Sequence, residues 1–185
     1  MAAIHNGTQS HSRLTVMEER VEADFRKAMR RLASAVTVIS ATHDGRRHGM
    51  TATAVTSVSC VPPSLLACIN RAASLHDPLV ASARFCVNIL YGDQSNVADA
   101  FGGGGNGDRF NSGTWMAHAN GLPYLADAQA SIFCDADLVT RYGTHSIVVG
   151  KISEIIVGGH VAPLLYQDGR YSVGLGDGID WVVPI

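Results

Sequence analysis

The chain has 185 residues, 46% hydrophobic and 16% charged, which suits one folded domain with a core and excludes a chain too polar to collapse. Its 14 basic and 16 acidic side chains leave a net charge of −2, so nothing in the charge balance points to nucleic acid or an anionic membrane as partner. No stretch is apolar for long enough to span a bilayer as a helix.

Residues 1–17 are polar, lack the hydrophobic run of a secretory signal, and read as a mobile tail ahead of a domain at 18–185. Val21, Phe25, Met29, Leu32 and Val36 then recur at helical spacing among charged residues, so an amphipathic helix laying one stripe on a core is expected. AVTVISATH is β-branched and small, and Asp44–Gly45 separates it from RRHGMTATAVTSVS, which reads as a hairpin because a tight primed turn needs positive φ. After Pro62–Pro63, SLLACIN reads as a buried strand, SLHDPLVASA as a short helix or turn, and FCVNILY as another buried strand. DQSNVADAFG reads as a short helix with Asp93 as its N-cap, GGGGNGD as a flexible loop, and Trp115–Ala128 as irregular structure with a turn at Leu122–Pro123. ASIFCDADLVTRY, SIVVGKISEIIV and the pair APLLYQ and RYSV around Asp168–Gly169 return to strands. Short strands joined by tight turns, with few helices, imply a mainly β antiparallel barrel rather than a doubly wound sheet.

Gly102, Gly104 and Gly107 satisfy G-x-G-x-x-G literally, but a polar helix precedes them and no helix opens after them, so the dinucleotide-fold reading is rejected. Cys60, Cys68, Cys86 and Cys134 form no C-x-x-C pair and sit in or beside apolar runs, as reduced thiols in a cytoplasmic protein would. The histidines lack metal-ligand spacing, so no metal site is expected, and neither a G-x-S-x-G elbow nor a Ser-His-Asp set is visible. Gly49–Ser59 is more informative. It has no large side chain between Met50 and Ser59, so a flat ligand could approach the backbone closely, although a plain Thr/Ser-rich edge strand has the same composition. Asn70, Arg71 and Ser74 follow a buried strand and could clamp a phosphate, as could Arg109, while His145 stands at a strand entrance.

Taken together and in order, FRKAMRRLASAVTVISA, GMTATAVTSVSCVPPSLLACIN, FCVNIL, Arg109–Phe110 and Gly143–Thr144–His145 resemble the short-chain flavin reductase family, among them the reductase components of two-component flavin-dependent monooxygenases such as the one acting on 4-hydroxyphenylacetate. The resemblance implies a split β-barrel of the FMN-binding type with an N-terminal amphipathic helix and short peripheral helices. It implies an NAD(P)H:flavin oxidoreductase that passes a hydride to FMN, or FAD, and supplies reduced flavin to a separate monooxygenase. NADH, or NADPH, is the implied donor, and a homodimer with flavin near the subunit interface the implied assembly. Carried over along this chain, Gly49, Met50, Thr51, Ala52, Thr53, Ala54 and Ser57 would line the flavin ring and ribityl chain. Asn70, Arg71 and Ser74, with Arg109, would lie toward the phosphate, and His145 near the nicotinamide. No catalytic acid or base is implied, because hydride transfer needs two rings held together and little else. A flavin-binding split barrel without turnover, or a reductase of another bound acceptor such as a corrinoid, would carry the same segments.

Overall fold

A computed structural model describes residues 7–103 and 108–174. An N-terminal helix α1 (Gly7–Met29) leads into β1 (Ser34–Ala35), β2 (Thr37–His43), β3 (Arg46–Ala52), β4 (Val55–Cys60) and β5 (Pro63–Asn70). Helix α2 (His76–Ser82), β6 (Arg84–Ile89), α3 (Ser95–Phe101) and a 3-10 turn (Arg109–Asn111) follow. The chain continues through β7 (Trp115–Ala117), β8 (Pro123–Leu125), the long strands β9 (Ala130–Tyr142) and β10 (His145–Val157), and the hairpin β11 (Leu164–Gln167) and β12 (Arg170–Val173).

Seven strands form one sheet in the order β3-β2-β6-β9-β10-β5-β4, and its pairs are antiparallel throughout. The chain order shows that this sheet closes on itself. Strands β3 and β4 are its two edges, yet only Thr53 and Ala54 join them. Three residue steps reach at most about 11 Å, whereas the edges of a flat seven-stranded sheet lie about 29 Å apart. The sheet must therefore curl until its edges nearly meet, giving a split barrel with Thr53–Ala54 spanning the seam.

The barrel interior is filled from strand after strand. Ile39, Leu65, Ile69, Phe85, Val87 and Val148 join one buried cluster, and Leu75 and Leu79 from the α2 region pack into it. Alternation explains why β2 is buried on both faces. Ile39 and Ala41 point into the barrel, while Val36 and Val38 join an outer cluster with Phe101, Phe110 and Leu164. At Asp44–Gly45 both residues have positive φ, 49° and 70°, the primed turn expected for that pair. Asp168–Gly169 repeats it at 48° and 80°.

Five sequence expectations change. Helix α1 stops at Met29 rather than running to Val36, because the Val36 N–H donates to Leu164 O and its carbonyl accepts from Leu90 N, a tertiary ladder that outweighs helical periodicity. At the other end the helix begins at Gly7, inside the stretch read as a tail, and residues 1–6 lie outside the described residues. The apolar stripe does not lie on the core of its own chain: Val21 is 65% and Phe25 61% exposed. Helix α3 is preceded by Gln94, not Asp93, and takes no side-chain cap. Instead Gln94 is tied into the core region, its Oε1 accepting from Tyr91 N and its Nε2 donating to Asp127 O. Trp115–Ala128 is not irregular but forms the β7–β8 hairpin, whose strands of three residues are too short to show alternation. Buried polar groups seat it: Ser40 Oγ donates to Pro123 O, and Asn88 Oδ1 accepts from Leu125 N. Of the expected glycine loop, residues 104–107 lie outside the described residues.

Candidate functional site

The segment Gly49–Ser59 is two strands on opposite edges of the sheet, not one. On β3 the side chains are committed to packing. Met50 and Ala52 face the barrel cluster. Thr51 Oγ1 donates to Ala98 O at 2.6 Å, and a Cβ built on Gly49 would stand 2.6 Å from the Phe101 ring. Close approach at Gly49 therefore serves helix α3, and the β3 residues could offer a ligand backbone rather than side chains. Ser57 lies exposed on β4, opposite Leu65 and next to a register shift.

The two-residue seam differs from both strands. Ala52 O accepts from Thr37 Oγ1 on one side, and Ala54 O accepts from Cys68 N on the other, so both edges grip the link. Thr53 and Ala54 are exposed, and among the described residues neither of their N–H groups meets a backbone acceptor. These are free donors on small residues, and they line a cleft of about 410 Å³ together with Phe25, Met29 and Leu32. Free N–H donors beside apolar side chains suit the polar edge and flat faces of an isoalloxazine ring.

The remaining candidates fall into two groups. Asn70 on β5 lies directly opposite His145 on β10, and Arg71 N donates to Thr144 O at 3.0 Å. Asn70 Oδ1 accepts from Ala72 N, which makes the tight bend after β5. His145 is exposed, and its Nδ1 lies 2.9 Å from Thr144 Oγ1. Ser74 stands apart from that corner, lining a recess of about 200 Å³ with Gly49 and Arg109, whose Nη1 donates to Gly49 O at 3.3 Å. The structure thus groups Asn70, Arg71 and His145 in one place, and Ser74, Gly49 and Arg109 in another. The segment 70–74 links the two.

Sequence reasoning missed three features. Arg47 donates to Asp108 Oδ2 at 3.0 Å and lies 4.5 Å from the Phe110 ring centroid, forming one rim of the recess. Asp108 holds that place because its other oxygen caps the Arg109–Asn111 turn through Phe110 N. His48 lines the same recess with its pKa lowered, first by burial and then by His43 and Arg46, so its ring favours the uncharged form. His76 is buried, with Nδ1 2.7 Å from Asp77 Oδ1 and Nε2 2.9 Å from Ser146 Oγ. Sequence could not show the last pairing, which spans 70 positions. The four cysteines are free thiols, and burial pushes Cys134 up to about 12 and Cys86 higher still, so neither is a nucleophile near neutral pH.

Comparison with known proteins decides what this arrangement belongs to. Residues 29–174 match the family described as flavin reductase like domain. The chain belongs to that family. It is 45% identical over 156 residues to the reductase component of the FADH(2)-dependent resorcinol hydroxylase of a Rhizobium species, covering 83% of this chain and 87% of that protein. It is 44% identical over 150 residues to an FMN reductase (NADH) of Methylorubrum populi, covering 80% and 73%. Among solved structures, the NADH:FAD oxidoreductase of Streptomyces globisporus in complex with NAD and FAD fragments superposes with a TM-score of 0.79 at 27% identity, covering 85% of this chain and 95% of that one. The flavin reductase fold and its antiparallel split barrel are therefore shared across the described domain.

Proposed function

We propose that this protein is an NADH-dependent flavin reductase that supplies reduced FMN or FAD to a separate flavin-dependent monooxygenase. The observation that carries this reading is the seam. Thr53 and Ala54 present unused N–H donors at an apolar cleft, and Ala54 O accepts from Cys68 N, two residues short of Asn70 on the same strand. The relatives named as reductase components and as an FMN reductase (NADH) support the activity, the donor and the oxygenase partner. A bound flavin supplies the hydride acceptor, and the protein supplies placement. Thr53 and Ala54 would bind the ring edge through their N–H groups and favour the negative charge it gains on reduction. Arg71 on the His145 side and Ser74 with Arg109 on the other would reach the phosphate end from the two ends of the segment that links them, and His145 would orient the nicotinamide. No acid–base pair is required.

The single chain leaves Val21, Phe25, Met29 and Leu32 facing solvent along α1 and the cleft, a stripe that a second copy would cover, so the working form is a homodimer. The flavin reductase domain takes in the family match at residues 29–174, with helix α1 leading into it. The place of action is the cytoplasm, where four unpaired thiols remain reduced. Among the described residues no helix is long and apolar enough to cross a membrane.

The test is direct. Purified protein is mixed with NADH and catalytic FMN or FAD, and loss of nicotinamide absorbance is followed. Oxidation well above the uncatalysed rate is expected, and a rate equal to the uncatalysed one overturns the assignment in favour of a non-catalytic flavin binder. Light scattering on the eluted peak checks the dimer.

A further inference from the structure

Asp77, His76 and Ser146 form a chain of side chains that the flavin site does not use. His76 is 6% exposed and Ser146 is fully buried. With the Nδ1–H donated to Asp77 Oδ1, the Nε2 lone pair accepts from the Ser146 hydroxyl. This is the order of groups found in a hydrolytic triad, but a serine with no exposed surface can meet no substrate, so hydrolysis is not its work. Its position suggests another role. Ser146 directly follows His145 at the start of β10, and His76 lies two residues beyond Ser74.

The geometry points to His76 as a positioning residue for the cofactor site, an inference that rests on the flavin reading of that site. Residues 71–75 leave β5, turn, and enter α2, with Arg71 and Ser74 exposed along the way. The segment is pinned at both ends to Thr144–Ser146, where the turn after β9 enters β10. Arg71 N donates to Thr144 O at one end, and the His76 ring meets Ser146 Oγ at the other. The burial of Leu75 holds the segment down on the barrel core, and the two hydrogen bonds fix its place against the strand that carries His145. The second pin therefore sets where Arg71 and Ser74 stand relative to His145, which is the relation between the phosphate end of a flavin and its hydride donor. Backbone turns within the segment, Ala73 N to Asn70 O and His76 N to Ala73 O, shape it but do not tie it to β10.

The experiment compares His76→Leu, His76→Gln and Ser146→Ala with the parent in flavin titrations by fluorescence quenching and in KM for NADH. Leu removes the pin, and Gln restores a polar atom near the Nε2 position. Leu79→Ala, a cavity in the same helix with no bond to β10, is the control for lost stability. His76→Leu and Ser146→Ala are expected to weaken flavin binding on the order of tenfold, with His76→Gln recovering most of the loss and Leu79→Ala showing little at an equal fall in melting temperature. Ser146→Ala carries the test by itself if His76→Leu fails to fold. Flavin affinity within twofold of the parent in Ser146→Ala overturns the inference, as does an equal loss in Leu79→Ala or no recovery in His76→Gln. Arg71→Ala and Ser74→Ala separate this from failure of the site itself: if both bind flavin like the parent, the placement of the phosphate is wrong whatever His76 does.

Discussion

Ala52 and Val55 are three positions apart in the chain and sit on opposite edges of a seven-stranded sheet. That relation closes the barrel, with Thr53 and Ala54 joining by chain two edges that no strand pairing connects among the described residues. A strand interior would have used its N–H groups in a ladder. The seam leaves them free beside a cleft, and the functional reading starts there.

Thr53 is exposed and its side chain packs on nothing in the core, so a large residue there should spare the fold and fill the ligand's space. Thr53→Trp is expected to weaken flavin binding by at least about tenfold, roughly 1.4 kcal/mol, with the melting temperature close to the parent's. Fluorescence titration and a thermal melt check the two halves separately, and unchanged flavin affinity would move the ring elsewhere.

Gly49 tests the opposite case. A methyl there would meet the buried Phe101 ring, which packs edge-on to Phe110 at 5.0 Å and has no open side to retreat to. Gly49→Ala is expected to cost about 1–3 kcal/mol of stability through overpacking, read from urea denaturation. A variant as stable as the parent would show that α3 can shift.

His145 is exposed at the first position of β10, and its ring's one side-chain hydrogen-bond partner among the described residues is Thr144 Oγ1. His145→Ala is expected to raise the KM for NADH several-fold, on the order of one lost hydrogen bond, while flavin affinity stays within about twofold. Steady-state kinetics with each substrate varied in turn separate the two, and an unchanged KM would remove His145 from the site.

His48 gives a pH signature. Its folded pKa lies below the ordinary histidine value, so around and just below that value the unfolded chain binds more protons than the folded one. Its contribution to stability is thus retained above the ordinary value and falls as pH drops through it. Unfolding free energy measured from pH 7.5 to 5.5 should decline with acidification, and His48→Gln should flatten part of that slope. The same slope in both proteins would show that other groups carry it.

The strands were legible because burial imposes periodicity. β2, β5, β6, β9 and β10 announce themselves as β-branched and apolar runs, and both Asp-Gly turns have the positive φ their chemistry demands. The order of motifs from Phe25 to Tyr171 also identified the family before any geometry was known. Helix α1 was legible as amphipathic, but what its stripe would meet was not, since periodicity reports a face and not its partner. The split of Gly49–Ser59 into two edges was invisible, because small polar residues read alike in a strand and at a break between strands. The β7–β8 hairpin was missed because its seats, Ser40 and Asn88, lie far away in sequence.

By itself, then, the sequence determined the elements, the turns and the flavin reductase family, since those depend on local periodicity, φ preference and motif order. Only the tertiary structure decided which side chains were already in use. It committed Thr51 to Ala98, Gly49 to Phe101 and Asn70 to its own turn, freed the N–H groups at Thr53–Ala54, and set His76 against Ser146. The physical reason is that a hydrogen bond or a van der Waals contact is satisfied by whatever lies nearest in space. In a closed barrel those neighbours come from strands far apart in the chain.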